Sequence, residues 1–450
     1  MIKKMYGFAG LIMLFALLSR LFGFIRELLI SYYFGTTVLA DMFYIISSIP
    51  LVLYTGFALA YSNAFIPSYH KAKAKNNYLL SSTLLIFLIS LIVSISMMLF
   101  PVPILKLIAP GVALTVLEQY KMSVIIVAFQ VFFIGFNGLF NGLLNAEEKY
   151  FVPSLFNMLF TLFVGLVIYV LNDKSINVIF IGITIVYILQ FFVQLFFMKS
   201  FILKWRKKSR VSLEIMKKQM YETLLIFSSS SLSQINYFID RALASTVYAG
   251  ALSTVNYVHK LNGFLIGIAG LLISNLLFPI ISKSLNGNDE NSQLKNIDRF
   301  TYVIMILIIP TILLLSIFSS ELVKILFQNG EFNSNDVANV SKAFSIIILG
   351  TGFYVLKDLY SYILYATSKS KLVFIVSFCS VLVNITLNFL LINRYGVNGL
   401  MASTLFSYIV SAVISLVIIK RSKIEVISVK KHVVLLFFLL ISLLVGLLFR

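Results

Sequence analysis

Arg20, Arg26 and Glu27 lie inside LFALLSRLFGFIRELLISYYFG (14–35), an apolar stretch long enough to cross a membrane. A charged side chain at bilayer depth is costly, so it normally faces a protein interior or a watery cavity and marks a path for ions or charged ligands. Three further groups of this kind occur: Asp41 where the second apolar stretch begins, Asp240 beside Arg241, and His259 beside Lys260. On a helix Arg20 and Glu27 fall on one face, whereas Arg26 lies roughly 120° from Arg20. One partner therefore cannot serve all three. Internal ion pairs, Arg26 with Glu27 or Asp240 with Arg241, would only pin helices together. Over the whole set cations stay in excess, with Arg20, Arg26 and Lys260 lacking evident partners, which favours a cavity that attracts an anion. Arginine suits phosphate because its planar fork donates two parallel hydrogen bonds and keeps its charge at any relevant pH.

A second constellation is uncharged. Asn384 and Asn388 stand at i and i+4 on one helical face, and Thr404 follows. With Asp240 they offer the carboxylate, amide and hydroxyl oxygens that a hard cation such as sodium requires. The same residue types also serve as hydrogen-bonding links between membrane helices, and spacing leaves both roles open. No GxxxxGK[ST] phosphate loop occurs, so no ATP site of that type is encoded. Metal-ligand spacing of Cys and His is likewise missing: His70, His259 and His432 are scattered, and the sole cysteine, Cys379, sits in an apolar run as a small core residue. Without a long outer loop to house catalytic residues, secondary transport is favoured over an ATP-driven pump and over a membrane enzyme.

These groups must be positioned by helices. The chain has 450 residues, 60% hydrophobic and 12% charged, and a mean hydropathy of +0.98. That apolar share exceeds the roughly 45–50% of soluble domains, and the expectation is an all-α, polytopic membrane protein. Apolar runs predict spans near 6–34, 38–66, 79–100, 120–145, 152–171, 177–200, 219–246, 252–281, 300–319, 337–366, 372–393, 397–419 and 432–449. The first lacks a small-residue cleavage site and reads as a retained span. The net charge of +19 is distributed by topology: with the N-terminus in the cytoplasm, the basic loops, including 199–218 and 420–431, fall on the inner side. There they meet anionic lipid headgroups rather than nucleic acid.

The most basic segment lies mid-chain, giving a six-helix lobe at 1–202, a basic cytoplasmic linker at 203–218, a second six-helix lobe at 219–420 and an additional transmembrane helix at 421–450. The halves resemble each other: FIRELLISYYFG (24–35) lies on FIDRALASTVYAG (238–250), NAFIP (63–67) on NLLFP (275–279), and AEEKYFVPS (146–154) on ATSKSKLVF (366–374). An even number of helices per half makes this a parallel pseudo-repeat, with two lobes around a central cavity. Pro50, Gly56 and Pro67 make the second helix a candidate bending element; Pro153, Pro279 and Pro310 punctuate others.

SRLFGFIRELLISYYFGTTVLADMFY (19–44) resembles the opening of the MurJ (MviN) family of lipid II flippases, in the multidrug/oligosaccharidyl-lipid/polysaccharide exporter superfamily. GLLNAEEKYFVPS (142–154), DRALASTVYAGALSTVNYVHKL (240–261), ILFQNGEFNSNDV (325–337), SYILYATSKSK (361–371) and VNITLNFLLINRYGVNGLMAST (383–404) extend the likeness over both halves in order. The resemblance implies two six-helix lobes around a cationic cavity, alternating access, and export of an undecaprenyl-pyrophosphate-linked sugar. It assigns substrate contacts to Arg20, Arg26 and Asp41. The family's helix 8 arginine falls on Lys260, which keeps the charge and loses the fork. Members with a sodium site place it where Asp240, Asn384, Asn388 and Thr404 lie; Asn388 stands for the usual second carboxylate, and one fewer negative charge weakens cation affinity. The arginine-bearing segment after the family's Ile-Pro is also missing, since this chain reads IPLVLYTGFALAYSNAFIP (49–67).

The expected protein is thus a non-enzymatic flippase of the bacterial cytoplasmic membrane, monomeric, with membrane lipids and a lipid-linked glycan pyrophosphate as partners, and sodium as the candidate coupling ion. Its expected cargo is lipid II, moved from the inner to the outer leaflet; another lipid-linked oligosaccharide, such as a capsule, O-unit or exopolysaccharide precursor, is the alternative. A cation-coupled multidrug exporter would want acidic cavity residues, and the charge sign argues against it.

Overall fold

A computed structural model describes residues 2–50, 54–205, 209–273, 290–367, 369–422 and 427–448, and no strand occurs among them. The chain is all-α, as its apolar periodicity requires. Contacts divide it into two compact units, Met1–Gln234 and Ile235–Arg450.

Unit 1 holds α1 (Ile2–Phe34), α2 (Val38–Pro50), α3 (Gly56–Lys71), α4 (Lys75–Leu99), α5 (Pro101–Ile108), α6 (Leu114–Gln119), α7 (Lys121–Ala146), α8 (Phe151–Val170), α9 (Ile176–Trp205) and the first part of α10 (Leu213–Ala244). The span expected over 38–66 is found as α2 up to Pro50 and α3 from Gly56; residues 51–53 lie outside the described residues. Helix α7 forms the middle of the unit. Its Gly138 and Gly142 let α3 approach so closely that a Cβ at Gly138 would lie 2.7 Å from the Ala58 carbonyl; small residues drive such packing where lipid supplies no hydrophobic force between helices. The loop expected after the third span contains α5 and α6. Pro101 starts α5 at a position that needs no backbone donor, Leu105 and Ile108 bury its apolar side, and Lys106 donates to Pro110 O at 2.7 Å and Val112 O at 3.0 Å.

Unit 2 holds the rest of α10, α11 (Ala251–Leu272), α12 (Glu290–Ile317), α13 (Ser319–Phe327), α14 (Ser334–Ala366), α15 (Ser370–Arg421) and α16 (Val429–Leu448). Pro279 and the 275–279 repeat segment lie outside the described residues. Helix α14 is the enclosed element, buried along most of its length, and starts from a capping box in which Asn333 and Asp336 exchange hydrogen bonds. The two spans expected at 372–393 and 397–419 join as α15, bent at Gly396, which has φ 54° and ψ −132°. Helix α16 is built into the unit rather than appended. His432, fully buried, lies 3.2 Å from Asp298 of α12 and 3.0 Å from the Tyr360 hydroxyl of α14. Because a carboxylate only accepts, the ring donates to Asp298 through Nε2.

The repeat is visible in backbone form. The turn after α1 and the turn after α10 each place a glycine at positive φ, Gly35 at 54° and Gly250 at 95°, a conformation that side chains with a Cβ rarely adopt. Large apolar residues such as Leu99, Val170, Phe196, Leu390 and Phe437 stay well exposed on the outer faces, while serine, threonine and asparagine are buried within. That inversion of the soluble pattern suits a lipid surround. Among the described residues eight helical stretches are long and apolar enough to cross a membrane; the charge-bearing α1, α10 and α11 are outside that set.

Candidate functional site

In unit 1 the charged pair Arg26–Glu27 of α1 is joined to α2 through Tyr44. Glu27 is 2% exposed and accepts from Arg26 Nη2 at 2.7 Å. Its other oxygen accepts from the Tyr44 hydroxyl of α2 at 2.8 Å. Arg26 is therefore not one of the unpartnered cations that the sequence suggested. Adjacent residues on a helix point about 100° apart, and the long arginine side chain bridges that angle where spacing alone left the choice open. The pairing is incomplete: the side chain keeps 27% of its exposure, and its buried Nε has no hydrogen-bond partner among the described residues. Arg20 is exposed on the same helix. Asp41 is buried in the first turn of α2, where a carboxylate meets the positive end of the helix dipole. The preceding Thr37 Oγ1 accepts from Ala40 N at 3.3 Å and fixes that helix start.

Unit 2 brings four candidate residues into one buried cluster. Asn388 Nδ2 donates to Asp240 Oδ1 at 2.7 Å and to Asn384 Oδ1 at 2.9 Å. Asn384 Nδ2 donates to Thr404 Oγ1 at 3.1 Å, and that hydroxyl donates to Leu400 O at 3.1 Å. All four side chains are at most 3% exposed. Gly396 is what folds the second arm of α15 back so that Thr404 meets Asn384. The His259 Nε2 lies 3.6 Å from Asp240 Oδ2, beyond hydrogen-bond range, and its ring packs edge-on to Tyr237 with centroids 5.2 Å apart. Arg241 donates to Asn256 of α11 at 2.8 Å, and Lys260 is exposed.

Tested as a sodium site, this donor set is turned inward. The Asp240 Oδ1, Asn384 and Thr404 oxygens each accept a proton from a neighbouring amide, and the Asn388 oxygen is buried with no hydrogen-bond partner. As folded, the four residues are a closed hydrogen-bond chain and not an oxygen cage. No group of three or more His, Cys, Asp or Glu suited to a metal occurs among the described residues.

Sequence reasoning missed Lys357 and Asp358, half-buried within α14. Lys357 Nζ sits 5.3 Å from the centre of the Tyr354 ring. The signal was present as two adjacent charges inside FYVLKDLYSYIL (353–364).

Comparison with known proteins gives the family and the fold. Residues 30–449 match the family model described as lipid II flippase MurJ. The chain is 28% identical to the protein named probable lipid II flippase MurJ of Buchnera aphidicola subsp. Baizongia pistaciae, over 77% of this chain and 72% of that one. Its counterpart in Rickettsia prowazekii is 26% identical over 88% and 80%. Among solved structures, a lipid II flippase MurJ in an inward closed conformation superposes with a TM-score of 0.82 at 23% identity, covering 97% of both chains. An inward-facing multidrug resistance transporter of the MATE family, in the MOP superfamily, gives 0.70 at 13% identity over 90% and 94%. The structural likenesses speak for the fold.

Proposed function

The chain belongs to the lipid II flippase MurJ family, and we propose from that premise that it carries lipid II from the inner to the outer leaflet of the bacterial cytoplasmic membrane by alternating access. The observation that carries this reading is the match of residues 30–449 to one family whose described activity is lipid II flipping; it favours lipid II over capsule or O-unit precursors. The protein is a multi-pass membrane transporter. Its N-terminus is cytoplasmic in our reading, because that orientation puts the basic loops inside. It works as a monomer without catalysis of its own.

In unit 1, Arg20 is the exposed cation offered to the pyrophosphate. Arg26 contributes the donors that Glu27 leaves free, its unsatisfied Nε foremost, and an arriving phosphate oxygen competes with the Glu27 carboxylate for the fork. Asp41 orders the start of α2. In unit 2, Lys260 offers an exposed point charge to the same class of anion. The undecaprenyl tail stays in lipid, since about 0.8 kcal/mol per buried CH₂ opposes its leaving an apolar surround.

The test is replacement of the native flippase by this chain in a depletion strain. Lipid II should cease to accumulate on the inner leaflet and growth should return, and Arg26→Ala should abolish both while the protein remains in the membrane. Continued lipid II accumulation with the wild-type chain present, or relief of a capsule intermediate instead, would overturn the reading.

A further inference from the structure

Asp240 is a carboxylate sealed in unit 2, and its neutralisation sets what the cluster can bind. The nearest hydrogen-bond donor is the Asn388 amide, whose single nitrogen bridges Asp240 Oδ1 at 2.7 Å and Asn384 Oδ1 at 2.9 Å. Reversing that amide would set two acceptor oxygens against each other with no proton between them, so the carboxylate fixes its orientation. The nitrogen thus stands between the same oxygens that would have to ligate a small cation. From that juxtaposition we propose that the Asn388 amide is a built-in substitute for a bound sodium ion, and that this chain holds its Asp240 cluster together without one.

The physical case rests on what a cation would have to displace. Sodium could enter only by breaking both Asn388 hydrogen bonds and turning the amide over, which would bring the orphaned Asn388 oxygen into the cage and leave the two amide protons to find other acceptors in a site at most 3% exposed. Burying such donors without partners is expensive. A carboxylate at position 388 would reverse the balance, because two acidic groups at this distance repel and are relieved by a shared cation. The absence of an amide there would open the cage, with Asp240, Asn384 and Thr404 as the remaining ligands.

The experiment reads stability, so its outcome does not depend on the lipid II assignment. The purified full-length chain is unfolded by heat in detergent in sodium, potassium or choline chloride at one ionic strength, beside the Asn388→Asp variant. The wild type should give the same midpoint in all three salts, and the variant should melt about 3 °C or more higher in sodium than in choline at saturating salt. A sodium-specific rise for the wild type would overturn the proposal, as would a folded Asn388→Asp protein indifferent to the cation. If the variant cannot be recovered, calorimetric titration of the wild type with sodium chloride decides: no saturable heat upholds the proposal, and a saturable one defeats it.

Discussion

Residues 26–27 and 240–241 hold the same place in the two sequence repeats with their signs exchanged, Arg-Glu in unit 1 and Asp-Arg in unit 2. Their hydrogen-bond partners on the next helix play matching parts. Tyr44 of α2 donates to Glu27, and Asn256 of α11 accepts from Arg241. Each unit thus ties its first helix to its second through the second member of the pair, with donor and acceptor reversed. Hydroxyl and amide groups make that exchange possible, because each can serve a cation or an anion. The first members diverge. Arg26 shares a carboxylate and keeps one donor idle, whereas Asp240 passes its charge to the amide chain of α15. Unit 1 therefore retains cationic capacity where unit 2 has closed its corresponding position.

Removing Glu27 should break this contrast most severely. Glu27→Gln leaves the Arg26 charge without its counter-ion and should cost about 3 kcal/mol, at the low end for a buried pair because Arg26 is partly exposed; thermal unfolding in detergent measures it. Asp240→Asn removes the charge but keeps a carbonyl oxygen to accept the Asn388 amide proton, and should cost about 1–3 kcal/mol in the same assay. If the two losses come out equal, the clusters are not the different devices described here. Asn256→Leu withdraws one hydrogen bond to a charged group and should cost about 1.5–3 kcal/mol. Tyr44→Phe keeps the ring and the Arg26–Glu27 pair, so a loss of about 1 kcal/mol is expected. A Tyr44→Phe effect larger than that of Glu27→Gln would contradict the assignment of Glu27 to Arg26.

Much of the scaffold could be read from hydropathy. Spans expected at 120–145 and 152–171 are found as Lys121–Ala146 and Phe151–Val170, because a bilayer demands long unbroken apolar runs and their ends are abrupt. The short α5, α6 and α13 escaped notice, since eight or so residues beside a proline or a polar turn carry too little periodicity to register. Spacing put Asn384 and Asn388 on one helical face and the family resemblance set Asp240 and Thr404 beside them, but the direction of the Asn388 amide depends on Asp240, more than a hundred residues away. The Arg26–Glu27 pair was one of two geometries that a helical wheel allows, and the reach of the arginine side chain decided it.

The direct measurement for the central claim is lipid II flipping by the purified chain in liposomes, read as the fraction of peptide-labelled lipid II that a membrane-impermeant quencher reaches over time. Liposomes holding the wild-type protein should expose inner-leaflet label well above protein-free liposomes, and Arg26→Ala should fall back to that background. Wild-type traces indistinguishable from protein-free liposomes would contradict the account.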